Sequence, residues 1–164
     1  MDYIYQDKYV YFKKEGSGSP MILLHGWGVD SSCFDDLMDS LKEKYQVFAI
    51  DLPGFGKSVE PSDYYVLEDY VGLVEQFVND KKLANPIILG HSFGGRIAIR
   101  YASRHQVSKL ILVDSAGMKP KNYVKVKLKI MIYKLKKKND GKNKSNKTKR
   151  FYALKDISFE IPKG

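Results

Sequence analysis

Short apolar runs separated by turn residues recur over the first two thirds of the chain. Between them, apolar positions repeat at helical spacing. Residues 3–14, rich in tyrosine and interrupted by Gln6-Asp7, predict a hairpin of two short strands. Residues 16–20 form a Gly/Ser/Pro loop, and residues 21–24 are continuously apolar, as in a strand buried on both faces. Ser31 or Ser32 is placed to cap a helix over 32–44, with Asp35 and Asp36 in its first turn. Phe34, Leu37, Met38 and Leu41 share its apolar face. Residues 47–50 predict the next strand. A helix over 63–80 follows, with Val66, Tyr70, Val74, Phe77 and Val78 as its stripe. Asn85-Pro86 resets the chain before a strand at 87–89. A further helix runs from Ser92 to about 103, and a strand occupies 109–113.

Strand and helix alternate from residue 21 onward. The expected fold is therefore α/β, a doubly wound and mostly parallel sheet with helices on both faces. Such sheets bind ligands beyond the carboxyl ends of their strands. The loop His25-Gly26-Trp27, the Asp51 loop, Ser92 and Asp114 all fall there.

The pattern changes after Gly117. Residues 121–138 alternate lysine with Val124, Val126, Leu128, Ile130 and Ile132. They also fit a helix with Val124, Leu128, Met131 and Leu135 on one side, so periodicity leaves both open. Residues 136–150 are a low-complexity Lys/Asn tract expected to be disordered, and 151–164 regain strand character at Ile157, Phe159 and Ile161. The expected division is a folded core at 1–118, a lysine-rich segment at 119–150 and a short strand-like tail at 151–164.

Charge follows the same division. The formal net charge of +9 conceals a core of −4, a segment 119–150 of +13 and a neutral tail. The core is thus mildly acidic, which argues against specific nucleic-acid binding. Any attraction to anions, including a weak contact with anionic membrane, is placed in 119–150. No apolar run approaches the roughly 18 residues of a transmembrane helix, and residues 1–7 lack the features of a signal peptide. One cysteine, Cys33, rules out an internal disulfide framework, so a cytoplasmic setting is the expectation.

The chemistry concentrates in Gly90-His91-Ser92-Phe93-Gly94-Gly95. An apolar run ends at Gly90, and a helical pattern begins after Ser92. A strand turning sharply into a helix would hold Ser92 at the apex, and glycines at 90 and 94 would remove the Cβ atoms that clash in so tight a corner. The Phe93 N–H, at the helix start, would face an oxyanion formed on a substrate attacked by Ser92. The bland alternative is a serine that merely caps a helix.

Residues 21–117 resemble the α/β-hydrolase superfamily through four motifs in the family's order. His25-Gly26-Trp27-Gly28 looks like its oxyanion loop. Asp51-Leu52-Pro53-Gly54-Phe55-Gly56-Lys57-Ser58 looks like the loop after its fourth strand, and Gly90 to Gly95 like its nucleophile elbow. Leu112-Val113-Asp114-Ser115-Ala116 is similar to the end of its sixth strand. The resemblance implies a serine hydrolase acting on small-molecule esters or related acyl substrates, with neither metal nor cofactor. Ser92 would be the nucleophile, and the Trp27 and Phe93 amides the oxyanion hole. His25, Gly26, Gly90, His91 and Gly94 would support the loops.

The family's order is serine, acid, histidine. The three histidines here are His25, His91 and His105, and none occupies a late strand–loop position. Asp114 is a substitute candidate for the acid. His105 would lie roughly 15–20 Å from Ser92, at the far end of the helix between them. The expectation is a core cut after about its sixth strand, weak or inactive for want of a base. In the family this region begins a lid over the active site, so 121–135 reads as a remnant of lid helices and 119–150 as a lid remnant or a disordered linker. Residues 151–164 resemble the opening strands of ABC-type ATPase domains. No Walker A loop occurs in the chain, so no nucleotide site is implied. The two resemblances together suggest a frame that joins or truncates two genes. The competing function is a non-catalytic remnant whose basic segment binds anionic surfaces.

Overall fold

A computed structural model describes residues 1–115. The lysine-rich segment, the strand-like tail and the last residues of the expected core lie outside the described residues.

The described residues form a six-stranded sheet in the order β1-β2-β4-β3-β5-β6. The strands are β1 Asp2–Tyr5, β2 Lys8–Glu15, β3 Ser19–Leu24, β4 Tyr45–Ile50, β5 Ile87–His91 and β6 Lys109–Val113. β1 and β2 form the expected hairpin, and β2 pairs antiparallel with β4. The pairs β3–β4, β3–β5 and β5–β6 are parallel.

The parallel strands sort their apolar residues by alternation, because successive side chains point to opposite faces. Ile22, Leu24, Phe48, Ile50 and Ile88 pack with Val71, Val74 and Phe77 of α2 (Leu67–Asp80) and Ile97 and Tyr101 of α3 (Phe93–Ala102). Met21, Leu23, Val47, Ala49, Ile87 and Leu89 face the other way and receive Phe34 and Met38. Met38 lies on α1 (Asp35–Leu41). Both faces are thus covered, as the unbroken apolar strands require.

Two helices are shorter than the sequence pattern predicts. Residues 31–34 form a 3₁₀ turn, and α1 ends at Leu41. The cap is Asp30, whose carboxylate accepts the Ser32 N–H at 2.8 Å, rather than Ser31 or Ser32. At the other end, Tyr45 and Gln46 are taken by β4, where they pair with Ser19 and Pro20. α2 begins at Leu67, not at 63. Asp69 reaches back to the Val66 N–H at 2.7 Å and closes the helix start there. Val66 therefore lies outside the helix and is about half exposed.

β3 lies between β4 and β5 and connects to β4, after which the chain crosses back to β5. Strand order reverses around β3, and the carboxyl ends of β3, β4 and β5 flank the crevice that such a switch point opens.

Candidate active site

The turn from β5 into α3 forces the backbone of Ser92 to φ +50° and ψ −108°, a left-handed conformation rarely adopted by a non-glycine residue. Neighbouring backbone over-determines it. The Ser92 N–H donates to the Val113 carbonyl at 3.0 Å, and the Gly94 N–H donates to the His25 carbonyl at 3.1 Å. The helix is thereby stitched to the ends of β6 and β3. Glycine is required by close approach. A Cβ on Gly90 would lie 2.5 Å from the Gly94 carbonyl oxygen, and one on Gly94 would collide with the Leu24 carbonyl.

Ser92 stands at the N-cap position of α3, yet its hydroxyl makes no capping bond. The side chain is only partly buried. An ordinary N-cap serine spends its oxygen on the amides one turn ahead; Ser92 does not. Phe93 opens the helix, so its N–H belongs to the first-turn amides without an intrahelical partner. Among the described residues, neither the Phe93 nor the Trp27 amide donates a hydrogen bond.

Gly26 and His91 are brought against the serine. A Cβ on Gly26 would sit 3.2 Å from the Ser92 Cβ and 3.0 Å from His91 Nδ1. His25 has a different task. It is fully buried, and its Nδ1 donates to the Gly26 carbonyl at 2.7 Å while its Nε2 accepts the Leu52 N–H at 2.9 Å. That pair of bonds requires the neutral Nδ1–H tautomer. Burial, the largest influence, holds its pKa below the ordinary histidine value. Both nitrogens are spent on holding two loops together.

Asp51 does the same from the start of the loop after β4. It is 2% exposed, and its two carboxylate oxygens accept the Ser31 N–H at 2.7 Å and the Lys57 N–H at 2.8 Å. Its own carbonyl accepts the Ser58 hydroxyl at 2.6 Å. Asp114 follows β6 in a left-handed conformation, φ +43°, and is exposed. Register places it after Val113, the partner of His91, and so level with Ser92 along the sheet. His105 lies beyond the far end of α3, stacked on Tyr101 with its Nε2 2.8 Å from Glu75.

An open cavity of about 580 Å³ lies over the loop after β4 and reaches this corner through Trp27 and Phe93, the neighbours of Gly26 and Ser92. Its walls include Trp27, Phe55, Tyr64, Tyr65, Tyr70, Phe93 and Arg96. Trp27, 68% exposed, meets Phe55 and Phe93 edge-on at 4.9 and 5.5 Å. Tyr70 meets Phe93 at 5.2 Å. Sequence reasoning did not assign Phe55, Tyr70 or Arg96 to the site. The available signal was the i, i+3 spacing of Phe93 and Arg96, which puts both on one face of a helix. A second cavity, about 410 Å³, opens between α2 and α3 around Gly72, Tyr101 and His105, away from Ser92.

A parallel sheet with a switch point, and a strained serine on a strand–turn–helix corner beyond it, define a recognisable class. A family profile for the alpha/beta hydrolase fold matches residues 19–138, and the chain belongs to that family. It is 38% identical over 106 residues to the AB hydrolase superfamily protein YisY of Bacillus subtilis, covering 62% of this chain and 40% of that one. It is 41% identical over 104 residues to the pimeloyl-[acyl-carrier protein] methyl ester esterase of Shewanella woodyi, covering 62% of this chain and 38% of that protein. Among solved structures, an esterase from Exiguobacterium antarcticum superposes with a TM-score of 0.64 at 30% identity, over 80% of this chain and 53% of that one. The chain therefore spans about two fifths of the length of these two relatives. Among the described residues, no helix is long and apolar enough to cross a membrane.

Proposed function

We propose that Ser92 is the nucleophile of an acyl-transfer site that hydrolyses small-molecule carboxylic esters. The observation that carries this reading is the uncapped Ser92 hydroxyl, held at φ +50° beside the first amide of α3. Ser92 Oγ attacks the ester carbonyl carbon and loses its proton to a base. The carbonyl oxygen becomes an oxyanion received by the Phe93 and Trp27 N–H groups. Collapse expels the alcohol, and water then cleaves the acyl-serine. The family assignment supports hydrolase chemistry in general; the ester substrate is supported by the esterases among the relatives.

The base is the weak point of this chain taken alone. His25 has no free nitrogen, and His105 is committed to Glu75 at the far end of α3. His91 ends β5 immediately before Ser92 and lies in the same corner, but among the described residues its ring makes no hydrogen bond to the Ser92 hydroxyl. Asp114, level with Ser92, is the carboxylate best placed to help. A serine site without its base still retains roughly 10³–10⁴-fold catalysis over water from the oxyanion hole and binding. The 164-residue chain should therefore be slow.

A fluorophosphonate probe tests the assignment. Slow labelling that is abolished by Ser92→Ala and accelerated by added imidazole is expected. Labelling that survives Ser92→Ala removes Ser92 as nucleophile, and no labelling under any condition favours the non-catalytic remnant. A rapid burst of p-nitrophenol from a short-chain ester, lost in Ser92→Ala, would overturn the predicted slowness.

A further inference from the structure

Three arginines follow one another at four-residue intervals along α3 and just past its end: Arg96, Arg100 and Arg104. The outer two are neutralised. Arg100 Nε lies 2.8 Å from Glu68, while Arg104 lies 2.7 Å from Glu68 and 3.8 Å from Glu75. The innermost, Arg96, lines the aromatic cavity and, among the described residues, takes part in no ion pair. It stands four residues after Ser92, about 6 Å along the helix axis and so one turn from the nucleophile. Two carboxylates, Glu60 and Asp63, also line this cavity; both are exposed.

We infer that Arg96 selects substrates bearing a carboxylate. The acyl group or the alcohol of the ester carries a terminal carboxylate on a short apolar or aryl spacer. The spacer lies against the Trp27, Phe55 and Tyr70 wall, and the carboxylate meets Arg96 when the ester carbonyl is at Ser92. This deepens the reading of Ser92 as nucleophile and rests on it. An unpaired guanidinium offers a planar fork that matches a carboxylate with two parallel hydrogen bonds. The aromatic wall accepts the apolar remainder without demanding a particular polar pattern. Glu60 and Asp63 work against the anion and for a cation, so they define the competing outcome.

Trp27 is the single tryptophan of the chain and forms part of the wall, so its emission reports occupancy without any turnover. The test titrates 4-phenylbutyrate, its methyl ester and 4-phenylbutylamine into the full chain and into Ser92→Ala. The carboxylate should bind about tenfold or more tightly than the ester in both proteins. Arg96→Gln should abolish that preference while leaving ester binding unchanged, and Arg96→Lys should restore part of it. Equal binding of acid and ester overturns the inference, as does a preference that survives Arg96→Gln. Tightest binding of the amine overturns it too, and gives the cavity to cations through Glu60 and Asp63. Because none of these readouts requires Ser92, failure of the nucleophile assignment and failure of the carboxylate site are separable.

Discussion

At the scale of single residues, the elbow is governed by what is missing from side chains. Ser92 can hold φ +50° only because Gly90, Gly94 and Gly26 let three segments of backbone close around it. Gly94 is the tightest of the three, since a methyl group there meets the Leu24 carbonyl and lies 2.7 Å from the His25 carbonyl oxygen. Neither neighbour is a flexible side chain that can swing aside. Gly94→Ala must therefore push α3 away from β3 and break the Gly94 N–H bond to His25. Overpacking of this kind typically costs about 1–3 kcal/mol. The expected result is a urea midpoint lowered accordingly, together with loss of fluorophosphonate labelling even where the chain still folds. Unchanged stability would mean that the helix sits less tightly on β3 than described.

At the scale of elements, the catalytic corner is held by loops rather than by helices and strands alone. Asp51 ties the turn after β3 to the loop after β4 through two backbone amides. Asp51→Ala leaves both amides without their acceptor, one of them fully buried. Each unsatisfied buried group costs about 1–3 kcal/mol. Asp51→Asn keeps one acceptor oxygen, so its midpoint in urea should fall between those of the wild type and Asp51→Ala. If Asp51→Asn and Asp51→Ala lose equally, the negative charge rather than the acceptor count is what the loops need. Asp51 was readable as a loop-fixing residue, because a short carboxylate before Leu-Pro-Gly is suited to bonding nearby amides. His25 was readable as structural for a similar reason, but its link to Leu52 was not, since residues 27 positions apart give no local signal. The strands were legible because unbroken apolar runs between glycines have few alternatives. The starts of the 3₁₀ turn before α1 and of α2 were not: Asp30 and Asp69 set them through side-chain bonds, and apolar spacing carries no information about caps. Arg96 was passed over because only the fold shows that its helical neighbours Arg100 and Arg104 are already paired.

At the scale of the whole described body, one aromatic contact set joins the antiparallel hairpin to the parallel sheet that carries Ser92. Phe77 of α2 is fully buried and meets Tyr3 and Phe12 of the hairpin, each at 5.1 Å, and Phe48 of β4 at 5.5 Å. All three contacts are edge-on, the arrangement that aromatic rings prefer. The Lys81 ammonium sits 5.1–5.9 Å from the Tyr3, Phe12 and Phe77 rings, and Tyr3 donates to Asp80 at 2.8 Å, so the end of α2 is fastened where the hairpin crosses it. Trp27 lies on the far side of this arrangement, at the carboxyl end of β3. Removing the Phe77 ring should cost about 3–5 kcal/mol. Domains of this size have only about 5–15 kcal/mol to lose. If the body unfolds as one unit, Phe77→Ala will shift the Trp27 emission transition and the far-ultraviolet circular dichroism transition together, to the same lower urea concentration. If the emission transition stays in place while the dichroism shifts, the hairpin and the end of α2 form a separate cooperative unit. The Ser92 corner would then owe its rigidity to β3, β5 and α3 alone.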